Sequence, residues 1–270
     1  MIIDDIHRAA FVHIPKCGGT SVSLQLGAVD SYDGAFRKKG VHPTLGPVHF
    51  AHLPLRFLRE CYPVEFAKLK SYRCFALTRE PHARFASATF QRLEEFRGVP
   101  KIEVTADLAL REARAVIGWL SDRGSFCDLD YIHFSRQIDY VMLDGDPVAE
   151  HVFALENIAQ MSAALEASCG VHFDPERREN TNFASGNPLL ALLHRAKPIY
   201  SRLTTWAFRE RLLLLMQRWN LQRPDALYDA LRRDAEISRF VENYYADDIA
   251  LYRASAARPA GMTAVLGAAQ

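Results

Sequence analysis

The strongest constraint on this chain lies near its amino end. An apolar run of strand length, Ala9 to Ile14, gives way at once to Pro15-Lys16-Cys17-Gly18-Gly19-Thr20-Ser21. Two adjacent glycines permit a tight backbone turn, and Thr20 and Ser21 read as the opening of a helix. The chain is thereby committed to a strand-loop-helix start. The same arrangement aims backbone N–H groups, the positive end of a helix dipole, the Lys16 ammonium and two hydroxyls at one point. That is a cradle for a phosphate-like oxyanion. The nucleotide loop GxxxxGK[ST] puts its lysine after the last glycine, whereas Lys16 precedes both glycines here.

A second strand-to-helix passage follows. Tyr72 to Thr78 is a strand-length apolar run, and Arg79-Glu80-Pro81-His82-Ala83-Arg84-Phe85-Ala86-Ser87 comes next. Pro81 suits a first helical turn, and Phe85, Phe90, Leu93 and Phe96 are spaced for one helical face. Arginine presents a planar fork that fits phosphate oxygens. Between the two passages, Asp30 to Pro47 reads as a long loop carrying Arg37-Lys38-Lys39, a solvated charge run or else a contact for an acidic substrate. Val48-His49-Phe50-Ala51-His52-Leu53-Pro54 brings two histidines, the residue type best suited to accept a proton near neutral pH.

These segments resemble the sulfotransferases that use 3′-phosphoadenosine 5′-phosphosulfate (PAPS), in the carbohydrate-modifying branch that includes the heparan- and chondroitin-type enzymes. Pro15 to Ser21 is similar to that family's 5′-phosphosulfate loop, HIPKTGGTS, with Cys17 where threonine is usual. Arg79 to Ser87 resembles its 3′-phosphate motif, RDPxxRxxSxY, with Glu80 for aspartate and Thr89 for tyrosine. His52 falls on the histidine of a G-H-x-P stretch, with Ala51 for glycine and His49 as a competitor. Gln137 ahead of an apolar strand, His151 to Asn157 as a strand leading to a helix that Gly170 ends, and the Tyr245 to Leu251 segment are weaker landmarks. The resemblance runs from Phe11 to Arg253.

It implies one α/β domain over residues 1–253, a P-loop-like parallel sheet flanked by helices. PAPS would be the co-substrate, bound by Pro15, Lys16, Cys17, Gly18, Gly19, Thr20, Ser21, Arg79 and Ser87. His52 would be the base and Lys16 the group that meets charge on the bridging oxygen, with no metal. The acceptor would be a hydroxyl of a carbohydrate or glycoconjugate. Glu176 to Asn187 would be a lid over the nucleotide. Arg84 is open between a nucleotide contact and a structural ion pair.

Composition bounds the rest. An apolar fraction of 49% and a charged fraction of 24% over 270 residues are those of a globule with a sizeable core. A net charge of +1 offers no overall field for nucleic acid, so local clusters must carry any anion binding. Five scattered cysteines read as free thiols in a reducing compartment. No leader and no apolar run near the roughly 18 residues of a membrane span is evident, so a cytoplasmic protein is expected. Arginine far outnumbers lysine and alanine is abundant, a bias of GC-rich bacterial genomes. Further helices are expected at Asp107 to Leu120 and Trp206 to Trp219, one last helix from Ile237 to Tyr252, and a disordered tail over 254–270. Two alternatives stand beside the sulfotransferase. One is a P-loop-like kinase or ATPase, disfavoured by the lysine order; the other is a non-catalytic nucleotide-binding protein.

Overall fold

The computed structural model describes residues 1–100, 103–177 and 225–257. In chain order its elements are β1 (Ile2–Asp4), β2 (Ala9–Val12), α1 (Gly19–Gln25), β3 (Lys39–His42), β4 (Gly46–His49), α2 (Leu55–Cys61), α3 (Pro63–Ser71), β5 (Arg73–Thr78), α4 (Pro81–Arg97) and α5 (Ala106–Leu120). There follow β6 (Met142–Leu143), β7 (Asp146–Pro147), β8 (His151–Ala154) and α6 (Ile158–Cys169), then α7 (Asp225–Arg233), α8 (Ala235–Tyr244) and α9 (Ala246–Ala256).

The central sheet has the order β1-β2-β5-β8. Strands β2, β5 and β8 are parallel, with Phe11 opposite Phe75 and Phe75 opposite His151. They are covered by helices on their faces, which is why they read as unbroken apolar runs rather than as alternation. The expected wholly parallel sheet needs correcting, because β1 pairs antiparallel with β2. Asp4 makes that return possible: its carboxylate accepts from the backbone N–H groups of Ile6 and His7, both at 3.0 Å, and closes the connecting turn.

Helix α4 begins where Pro81 predicts. Glu80 is its N-cap, accepting from His82 N (3.2 Å) and Ala83 N (2.7 Å), so the glutamate retains a capping role at that position. Its apolar face builds a second core away from the sheet, where Phe85 and Phe90 pack with Ala109, Val116 and Leu120 of α5 and with Ile237 and Val241 of α8. Phe96 departs from that face and sits half-buried near the cations of Lys39 and Arg92.

Four further expectations change. The Asp30 to Pro47 stretch is not all loop, for it contains most of the β3–β4 hairpin. The last helix is two, divided at Tyr245, whose buried hydroxyl donates to Phe134 O at 2.6 Å and turns the chain there. No strand starts directly at Gln137; β6 begins only at Met142. A 3-10 turn, Ile138–Tyr140, comes first, because the Tyr140 hydroxyl is drawn inward to donate to His52 O (3.0 Å). Finally, Ala254 to Ala256 belong to α9, anchored by Ser255 Oγ against Thr78 Oγ1 at 2.8 Å, so the tail does not begin at 254. The expected Trp206–Trp219 helix, the Asn180-Thr181-Asn182 passage and residues 258–270 lie outside the described residues. Among the described residues no helix is long and apolar enough to cross a membrane.

Candidate functional site

The loops leaving the carboxyl ends of β2, β5 and β8 meet around one cleft of about 650 Å³. An open α/β sheet places its ligand crevice there. The β2 loop contributes Lys16 and Gly18 to Ser21, the β5 passage contributes Arg79 and Ser87, and the β8 end contributes Leu155. The lysine-bearing loop and the arginine-serine pair thus face a shared hollow. His49 and His52 line it as well.

The loop has the backbone such a cradle needs. Lys16 (φ 65) and Gly18 (φ 79) are both left-handed. A Cβ on Gly18 would lie 2.6 Å from Leu155 Cδ1, and one on Gly19 would lie 2.3 Å from His13 Cδ2, so the loop is packed tightly on both sides. No side chain caps α1 and no acidic residue occupies its first turn, leaving its N–H groups directed at the cleft.

Pro15 and Cys17, expected among the nucleotide-binding residues, do not line the cleft. Cys17 is buried and its Sγ donates to Gln137 Oε1 at 3.2 Å, while Pro15 O accepts from Arg84 Nη1 at 3.4 Å. Their work is to hold the loop against the segment behind it. Burial pushes the Cys17 thiol up to about 12, which suits an inert packing group.

Gln137 is fully buried and fixes Arg79 at both peptide groups: Arg79 N donates to Gln137 Oε1 and Gln137 Nε2 donates to Arg79 O, each at 2.9 Å. Asp248 in turn accepts from Gln137 N (2.8 Å) and Ile138 N (2.9 Å). Arg84 lies 3.7 Å from Asp248, with both side chains out of solvent, and bonds His133 O and Ser135 O. The choice left open for Arg84 falls to the structural ion pair. Arg79 itself keeps its guanidinium at the cleft and donates to Lys16 O at 3.3 Å. Ser87 Oγ is buried at the cleft wall with no hydrogen-bond partner, a cost of about 1–3 kcal/mol that a ligand acceptor would relieve.

His52 Nδ1 lies 3.0 Å from His13 O. A carbonyl only accepts, so Nδ1 carries the proton and Nε2 is the ring's basic nitrogen. His13 and His133, neither anticipated as site residues, join His49 and His52 at the cleft, with ring centroids 4.6, 5.6 and 4.3 Å from His52 for His13, His133 and His49 respectively. Burial holds His13, His52 and His133 well below the ordinary imidazole value and lowers His49 to about 4, helped by Lys39. All four are neutral at pH 7.

Gln91, Glu94 and Glu95 complete one wall. Sequence reasoning passed over them, although they follow Ser87 at four, seven and eight residues along α4 and so share its face. Of Arg37-Lys38-Lys39, only Lys39 reaches the cleft; Arg37 turns away to Asp30 at 3.3 Å. Four cations (Lys16, Lys39, Arg79, Arg177) against two carboxylates give the cleft the excess positive charge that the whole chain lacks. Among the described residues no cluster of three or more His, Cys, Asp or Glu side chains is arranged to hold a metal ion. No family model matches this chain, and neither a curated protein nor a solved structure does.

Proposed function

We propose that this chain is a sulfotransferase that moves the sulfuryl group of PAPS to a hydroxyl of a carbohydrate or glycoconjugate, on a P-loop-like sulfotransferase fold. The observation that carries the reading is the convergence of Lys16 and the Gly18–Ser21 N–H groups with Arg79 and Ser87 on one cleft, two anion-binding arms for one doubly phosphorylated adenosine. The unpartnered Ser87 hydroxyl and the fixed backbone of Arg79 support it from the 3′-phosphate side.

In this reading the acceptor oxygen attacks sulfur in line as its proton passes to His52 Nε2. The bond from sulfur to the bridging oxygen breaks, and adenosine 3′,5′-bisphosphate leaves with its new charge met by Lys16 and the loop N–H groups. Lys39, His49, Gln91, Glu94 and Glu95 also line the cleft, beside the apolar Leu155, Ile158 and Pro175, and among the described residues no Phe, Tyr or Trp lines it. Such a lining suits an acceptor rich in hydroxyls, each able to donate and accept, better than a flat aryl alcohol.

The test is a pair of measurements. The protein should be stabilised against heat by adenosine 3′,5′-bisphosphate and not by ATP with magnesium, and it should label a carbohydrate fraction when incubated with sulfur-labelled PAPS and extracts of the producing cell. A preference for ATP with magnesium would hand the cleft to phosphoryl transfer. Binding of the bisphosphate without labelling of any acceptor would leave a binding protein.

A further inference from the structure

A hydrogen-bonded chain crosses the cleft from its lysine to the hairpin opposite. Lys16 Nζ donates to Gln91 Oε1 at 3.2 Å, Gln91 Nε2 donates to Glu95 Oε2 at 3.1 Å, and Glu95 Oε1 forms an ion pair with Lys39. Gln91 and Glu95 are one helical turn apart on α4, where side chains four residues apart meet. Lys39 opens β3 and is paired in register with His49 of β4, next to the short turn that presents His52.

The chemistry of the two ends fixes the direction of the amide. An ammonium can only donate and a carboxylate can only accept, so Gln91 cannot turn over without losing both bonds. Its carbonyl oxygen is therefore held towards Lys16 by Glu95. Lysine is a compact charge on a flexible four-carbon stem and has no preferred direction of its own. A few tenths of an ångström decide whether such a charge meets an oxygen that becomes anionic only in the transition state.

We infer that Gln91, oriented by Glu95, is a positioning residue for Lys16, and that the ion pair to Lys39 ties this positioning to the hairpin carrying His49. The inference rests on the proposed function for its effect on turnover, but the hydrogen-bonded chain can be tested without it.

Two readouts separate the two ideas. In the first, the ligand-free full chain is acetylated with a trace of acetic anhydride and labelling of Lys16 is followed by mass spectrometry. Gln91→Leu should raise the Lys16 rate by about tenfold, as expected for loss of an acceptor from a charged donor. Glu95→Gln should raise it in the same direction, and the double variant should exceed Gln91→Leu by nothing, because both act through one amide. An unaltered Lys16 rate in Gln91→Leu, or additive effects in the double variant, overturns the inference whatever the protein catalyses. In the second, steady-state transfer by Gln91→Leu should show kcat lowered by about tenfold with the KM for PAPS unchanged within about twofold. A rise in KM at constant kcat would make Gln91 a plain binding contact and overturn the positioning role. Failure of the wild-type chain to transfer sulfuryl would sink the proposed function and leave the acetylation comparison to judge the chain of hydrogen bonds.

Discussion

Acidification should loosen this protein through the histidines of its cleft. Burial keeps His13, His52 and His133 neutral well below the ordinary imidazole value, and His49 down to about 4. In the unfolded chain each takes up a proton near pH 6.5. Below about pH 6.5 the unfolded state therefore binds more protons than the native one, and stability falls as pH falls. From about pH 7 to about pH 5.5, each histidine that stays neutral when folded costs roughly 1 kcal/mol, so the four together cost several kcal/mol. Asp248 opposes them. Burial raises its carboxyl to about 6, so the native state holds a proton that the unfolded carboxyl releases. Over the same interval that group returns roughly 1 kcal/mol, while the buried Met1 ammonium, lowered from 8.0 to about 5 by burial, adds roughly 2 kcal/mol to the loss. The net loss of several kcal/mol is a large share of the roughly 5–15 kcal/mol by which proteins are stable. Urea unfolding at several pH values across the interval measures it, with the imidazole resonances followed in parallel by NMR. Stability that is level or rising towards about pH 5.5, or cleft histidines that titrate near 6.5 in the folded protein, would refute the reasoning.

Four substitutions test the proposed site. His52→Ala and Lys16→Ala should each lower sulfuryl transfer by about 10²-fold or more; near-normal turnover in His52→Ala would move the base role to His49. If Arg79 grips the 3′-phosphate as proposed, Arg79→Ala should erase the preference for adenosine 3′,5′-bisphosphate over the 5′-monophosphate in calorimetric binding. An undiminished preference would place the 3′-phosphate elsewhere. Gly19→Ala sets a methyl against the His13 ring, where the new carbon would lie 2.3 Å from Cδ2, so bisphosphate binding should fall while the thermal midpoint moves only modestly; unchanged affinity would show that the loop can yield there.

Much of the scaffold was legible because its signals are local. The two strand-to-helix passages announce themselves by a buried apolar run followed by glycine or proline, and β2 with α1 and β5 with α4 lie where those signals put them. The antiparallel β1 was not legible, since three residues cannot declare their direction and only the Asp4-closed turn sets it. The last helix read as one because its apolar spacing continues through Tyr245, and the break comes from a hydroxyl pulled to Phe134 O.

The amino-acid sequence by itself determined which residue types could form an anion cradle: Lys16 with the glycine turn, Arg79 with Ser87, and a histidine nearby. Only the tertiary structure decided that they share a cleft, that Arg84, Cys17 and Gln137 brace it from behind, and that His13, His133 and Gln91 belong to it. His13 is a strand-end residue by pattern, and Gln91 is one polar position on a helix. Periodicity reports which face of an element is buried, but which elements meet depends on contacts between residues far apart in the chain, and those are fixed only when the whole core packs.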